Sequence, residues 1–206
     1  MSTRPSIVLI GPSGSGKSTV APILARLLDR RPLDLDDLRQ RYYPELEYDE
    51  AHADRLFTAG DLHGLTAYWK PFELHSVERV MTEFGRGHVI AFGAGQSVYR
   101  DVSDLHRARA ALSVAGAVVL LLFSTDDTAT FAVLKERIRI AAADVPAAIL
   151  EAFDELNRDN IGHASSRELA THVVVTAART PEQVGKLIAE RLQLSRARGG
   201  LAWRRC

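Results

Sequence analysis

Residues 11–19 read Gly11-Pro12-Ser13-Gly14-Ser15-Gly16-Lys17-Ser18-Thr19. They fill every fixed position of the phosphate-binding pattern G-x-x-x-x-G-K-[ST]. The chemistry follows from the residue types. Glycines at 11, 14 and 16 let the backbone curl until successive N–H groups converge as an anion nest. A helix starting near Ser18 adds its dipole to the same anion. Lys17 is a point charge for β- and γ-phosphates, and the Ser18 hydroxyl suits a magnesium ligand. The expected ligand of Gly11, Ser13, Gly14, Ser15, Gly16, Lys17, Ser18 and Thr19 is therefore a nucleoside triphosphate.

Magnesium needs more than one hydroxyl and usually keeps several waters. Asp34 is the expected second partner, at the end of a short apolar segment. Asp36 follows two residues on and, in an extended segment, would point the same way. Like charges repel, so two carboxylates on one face need separate tasks. Magnesium ligation by Asp34 and proton acceptance from a hydroxyl by Asp36 would supply them. The plainer reading is that Asp36 or Asp37 caps the following helix. His52, His63 and His75 read as structural, and Tyr68 and Trp69 as packing beside Lys70.

Elements of regular period position these residues. Ser6–Ile10, Pro32–Leu35, His88–Phe92, Ala117–Phe123 and His172–Thr176 read as strands. Their largely unbroken apolar runs suit a parallel sheet covered on both faces. Helical spacing recurs at about 18–30, 66–84, 101–113, 127–140 and 181–194, with a further stretch near 147–157. Asp101, Asp127 and Thr180 are the expected N-caps. The βα alternation predicts an α/β fold in a single domain over 1–195. Residues 36–84 are read as an acceptor-binding insert, 140–166 as a lid and 196–206 as a basic tail.

The 206 residues carry 26 acidic and 26 basic side chains, so no electrostatic case arises for nucleic acid or a membrane surface. No long uncharged apolar run suggests a membrane span. Met1 to Pro5 run straight into the first strand, leaving no expected room for a signal peptide. The single cysteine, Cys206, fits a reducing cytoplasm. A monomer or homodimer is expected.

On these residues the chain resembles the shikimate kinase family of nucleoside-monophosphate-kinase-like P-loop proteins. The resemblance rests on residues 11–18, on Asp34-x-Asp36, on Phe92-Gly93-Ala94-Gly95, and on Glu136-Arg137-Ile138 with Thr180-Pro181-Glu182. It implies a three-layer fold with sheet order 2-3-1-4-5, ATP and Mg2+ as cofactors, and a small-molecule hydroxyl acceptor. It also implies that Arg137 and Pro181 sandwich adenine, and that Asp36, Lys70, Gly93, Ala94 and Gly95 meet the acceptor.

Departures fall on the acceptor side. Lys70 in Trp69-Lys70-Pro71-Phe72-Glu73 stands where the family has an arginine, and lysine lacks the planar fork that grips a carboxylate. A second family arginine falls at Gly162, near Arg158 and His163. The lid motif is absent, leaving Arg139 and Arg158 as candidate lid cations. Residues 11–19 are also similar to the loop of gluconate kinases. The expected function is phosphoryl transfer to a cyclitol, sugar acid or shikimate-like hydroxyl. The competing readings are a gluconate-kinase-like enzyme and an ATP-binding regulatory protein without acceptor chemistry.

Overall fold

The computed structural model describes residues 4–197. Most of the expected tail, and Cys206, lie outside them. Five strands form one parallel sheet: β1 (Ile7–Ile10), β2 (Arg31–Asp34), β3 (His88–Ala91), β4 (Ala117–Leu122) and β5 (His172–Val175). Their order is β2-β3-β1-β4-β5, as the resemblance implies. Val8 pairs with Ile90 on one side and Val118 on the other, which sets β1 at the centre.

The side-chain alternation of β1 divides the core in two. Val8 and Ile10 face a layer built from Leu74, Val77 and Met81 of α4 (Leu62–Phe84) and Ala108 and Leu112 of α5 (Val102–Leu112). Ile7 and Leu9 face Val20 and Leu24 of α1 (Lys17–Leu27) and Val184 and Ile188 of α9 (Pro181–Ala197). Both faces are thus covered, so β1 and β4 are apolar at every position. Truncating a fully buried leucine such as Leu120 to alanine would cost about 2–5 kcal/mol.

Between β2 and β3 lie a 3-10 turn at Asp36–Leu38, α2 (Arg39–Tyr42), a second 3-10 turn at Tyr43–Leu46, α3 (Glu50–Thr58) and α4. Between β4 and β5 lie α6 (Asp127–Ala141), α7 (Ala147–Ile161) and α8 (Ala164–Leu169). Ala152, Phe153 and Leu156 of α7 pack on a small cluster formed by Ala53, Leu62 and Leu65. The expected insert and lid therefore meet across the carboxyl ends of the strands. Among the described residues no helix is long and apolar enough to cross a membrane.

Local signals mostly mark the helix starts. Asp101 accepts from the N–H groups of Ser103 and Asp104. Thr180 and Gln183 exchange bonds in a capping box. The cap of α6 is Asp126 rather than Asp127. Asp126 has the extended backbone a cap needs and accepts from Thr128 and Ala129, while Asp127 is already helical. The extended geometry expected for 34–36 is also corrected. Leu35 turns helical, and Asp36 opens a 3-10 turn in which it caps nothing. Asp34 supplies the side-chain bond instead, accepting from the Asp36 N–H at 3.1 Å.

Candidate functional site

The loop after β1 requires its glycines. A Cβ at Gly11 would stand 2.5 Å from the Leu121 carbonyl oxygen. Gly14 and Gly16 have φ of +75° and +93°, in the region that disfavours side chains. At Gly16 a Cβ would meet nothing within 4 Å, so the missing side chain leaves an open cradle at the N-terminus of α1. Lys17 donates to the carbonyls of Gly11 and Pro12, both at 2.9 Å, and to Ser15 Oγ at 3.4 Å. Burial pulls its pKa down to about 8, against the opposing pull of Asp36 and Asp34.

Ser18 and Asp34 line one cavity of about 550 Å3. A hydroxyl and a carboxylate beside a phosphate cradle are oxygen donors that suit a hard cation keeping its waters. On the other side of the loop, a cavity of about 280 Å3 is lined by Gly14, Gly16, Thr19, Arg137, Thr176 and Pro181, among others. Arg137 donates to the Gly14 carbonyl at 3.1 Å and lies over the Phe123 ring. The structure thus brings Arg137 and Pro181 together beside the loop. Thr176, which sequence reasoning missed, has a buried hydroxyl with no hydrogen-bond partner among the described residues. An orphaned donor beside such a cavity suits a polar ring system such as a nucleobase.

Across the crevice, Asp36 lies against Gly93, where a Cβ would stand 2.5 Å from its Oδ1. The buried Gln96 fixes this arrangement. Its Oε1 accepts from the Gly93 N–H at 2.8 Å, and its Nε2 donates to Asp36 Oδ1 at 3.3 Å. Restricted access to water raises the Asp36 pKa, and Asp34 adds to the rise. Arg39 and Lys17 pull it down. Gln96 carries no pattern of its own in the sequence; its only signal is a polar residue directly after a Gly-x-Gly turn. Ala94 has φ −61°, an ordinary helical value, so alanine fits the middle of that turn.

Lys70 reaches the same turn but is already engaged. It donates to the Gly95 carbonyl at 2.7 Å and pairs with Glu73 at 2.5 Å. A Cβ at Gly95 would press on the Glu73 carboxylate, so that side chain would have to shift. A third cavity, of about 650 Å3, is lined by Asp36, Arg39, Tyr43, Tyr48 and Trp69, among others. Arg39 is a third residue, after Thr176 and Gln96, that sequence reasoning passed over. The candidate lid cations are placed elsewhere: Arg139 bonds the buried Asp154, and Arg158 lies over the Phe131 ring. Gly162 ends α7, with no cation in the second arginine's place. His75 pairs with Glu45 and His52 packs edge-on against Tyr68, as structural histidines do.

Comparison with known proteins gives the family and the fold. The sequence profile of the family described as "Shikimate kinase" matches residues 13–193. The pentafunctional AROM polypeptide of Schizosaccharomyces pombe (strain 972 / ATCC 24843) is 36% identical over 98 residues. That match covers 46% of this chain and only 5% of the polypeptide. A shikimate kinase from Acinetobacter baumannii, solved in complex with shikimate, superposes with a TM-score of 0.64 at 21% identity. It covers 94% of this chain and 96% of that one. A gluconokinase from Sinorhizobium meliloti 1021 superposes with a TM-score of 0.54 at 18% identity, over 95% and 99% of the two chains. At such identities the two structures speak for the shared fold. The profile spans the sequence from the cradle to α9, and on that match the chain belongs to the shikimate kinase family.

Proposed function

We propose that the protein is a small-molecule kinase that moves the γ-phosphoryl group of ATP to a hydroxyl of a small polar acid. The position of Asp36 carries this reading. It lines the 650 Å3 cavity, yet it and Lys17 shift each other's pKa, so acceptor side and phosphate cradle meet at these two groups.

The backbone N–H groups from Gly14 to Ser18 bind the β- and γ-phosphates, and Lys17 turns from the loop's own carbonyls toward them. Ser18 and Asp34 would hold Mg2+, which neutralises charge on those phosphates when bound. Arg137 and Pro181 flank the nucleobase. Asp36, oriented by Gln96, accepts the hydroxyl proton. The acceptor oxygen forms the new P–O bond as the bond to the β-phosphate oxygen breaks. A raised pKa brings this carboxylate closer to the operating pH, which favours a general base. Contact between α7 and the insert keeps water, the competing acceptor, away from the phosphoryl group.

The engagement of Lys70 with Glu73 and the glycine at 162 favour an acceptor other than shikimate. A sugar acid or another cyclitol acid fits better than the family's namesake. The test is a phosphoryl-transfer assay on the full chain with Mg-ATP and a panel of cyclitols, sugar acids, aminocyclitols and shikimate. Transfer to at least one, lost in Lys17→Ala, is expected. Tight ATP binding without transfer to any would favour a regulatory nucleotide-binding protein.

A further inference from the structure

Arg39 differs from its neighbours in the insert. Arg41 and Arg79 are paired with Glu83, and Arg55 lies near Asp49. The Arg39 guanidinium makes no hydrogen bond or ion pair among the described residues; only the backbone N–H is bonded, to the Asp36 carbonyl. Its guanidinium carbon lies 4.9 Å from the Tyr43 ring centroid and 4.6 Å from that of Trp69. The rings are themselves fixed. Trp69 Nε1 donates to Tyr48 Oη at 3.0 Å, and Tyr43 packs edge-on against Tyr48. Aromatic faces that cover a guanidinium engage its π-surface and leave its in-plane N–H donors for a planar acceptor. Those donors belong to a half-buried residue lining the Asp36 cavity. Lys70, in contrast, already has a carboxylate and a carbonyl.

We infer that Arg39, held by Tyr43 and Trp69, is the residue that recognises the acceptor's carboxylate, in place of position 70. The inference rests on the acceptor-site reading above. Glu50 and Asp54 line the same cavity and disfavour a second anionic group. The acceptor class is therefore a monocarboxylated polyol, not a phosphorylated or dicarboxylic one. Asp36 and Arg39 are three residues apart, across one turn. The reacting hydroxyl and the carboxylate accordingly stand at the two ends of a small molecule.

The test is calorimetric titration of the full chain, with Mg-ADP present. The probes are shikimate, gluconate and their carboxyl-reduced alcohols. The native protein should bind at least one acid about 10-fold or more tightly than its alcohol, as a charge-assisted fork implies. Arg39→Gln should weaken that acid by about 10- to 100-fold and leave the alcohol nearly unchanged. Arg39→Lys should fall between them, because it keeps charge and loses the fork. Lys70→Gln should keep the preference for the acid. If Arg39→Gln does not fold, Arg39→Lys decides. The inference is overturned by no acid binding below about 10 mM, by equal binding of acid and alcohol, or by acid affinity unchanged in the Arg39 variants. Loss of the preference in Lys70→Gln instead would also overturn it. Parallel transfer assays separate the two readings. Arg39-dependent binding without transfer sinks the kinase and keeps this inference, whereas transfer to an acid with kinetics indifferent to Arg39 does the reverse.

Discussion

The side-chain amide of Asn157 brackets the backbone of Ser13, accepting from its N–H at 3.0 Å and donating to its carbonyl at 3.5 Å. Asn157 is buried on α7, and Ser13 lies in the phosphate loop. The helix that covers the crevice is thereby tied to the loop beneath it. Asn157→Ala leaves a part-buried N–H unpaired, at a cost of about 1–3 kcal/mol. For a chain of this size, thermal unfolding should come several degrees lower, roughly 2–4 °C per kcal/mol. Asn157→Asp keeps the accepting oxygen but brings negative charge to the cradle. It should also unfold at a lower temperature, because a buried carboxylate oxygen would replace the amide that donates to the Ser13 carbonyl, and it should bind ATP about 10-fold more weakly. Equal ATP affinity in Asn157→Asp would separate α7 from the nucleotide.

On the proposed function, Lys17 should make nucleotide binding a proton-linked event. Its pKa is about 8 beside the loop's own carbonyls. Phosphates brought next to it favour the charged form and raise that value. Binding must then take up protons at pH values between the two pKa values. At pH 8 about half a proton per ATP is expected, rising toward one at pH 9. Titrations in buffers of different ionisation enthalpy measure this directly. Lys17→Met should abolish the uptake as well as transfer; proton release by the native protein at pH 8–9 would contradict the assignment.

Asp36 should split turnover from nucleotide affinity. Loss of a general base costs about 100- to 10,000-fold in rate. Asp36→Asn should therefore lose most of kcat while the Kd for ATP moves little. Because the carboxyl pKa is raised, the acidic limb of kcat/KM should inflect above the ordinary aspartate value of about 3.9. Activity rises with pH through that inflection, since the ionised form accepts the proton. The Asn variant should lose the inflection. Parallel losses in kcat and ATP affinity would assign Asp36 to the nucleotide side instead.

The two ends of the 93–95 turn should respond differently from its middle. Gly95→Ala drives a methyl group into the Glu73 carboxylate and disturbs its pairing with Lys70. The KM for the acceptor should rise with little change for ATP. Ala94→Gly removes a side chain from ordinary helical backbone and should stay within about 1 kcal/mol of the native stability. Acceptor kinetics measured at saturating ATP, with thermal unfolding, test both.

Arg137→Ala should raise the KM for ATP with kcat largely kept, because the side chain borders the cavity proposed for the nucleobase and not the transferring group. A fall in kcat at saturating ATP would place Arg137 at the γ-phosphate.

The amino-acid sequence by itself determined the glycine-rich loop, the five strands, the main helices between them and the caps at Asp101 and Thr180. These rest on short-range causes: a glycine's backbone freedom, a strand's period of two, an aspartate one residue before a helix. Asp34 and Asp36 were legible as a pair, although the turn that aims them is 3-10 and not extended. Only the tertiary structure decided which cations are free. Lys70 and Arg39 look alike as basic residues in one insert, yet Glu73 and Gly95 engage the first and two aromatic rings support the second. Gln96 reaches Asp36 across 60 residues of chain, and Asn157 reaches Ser13 across 144. No local pattern encodes such a partner, because the bond depends on where the sheet and its two covering layers bring distant backbone together.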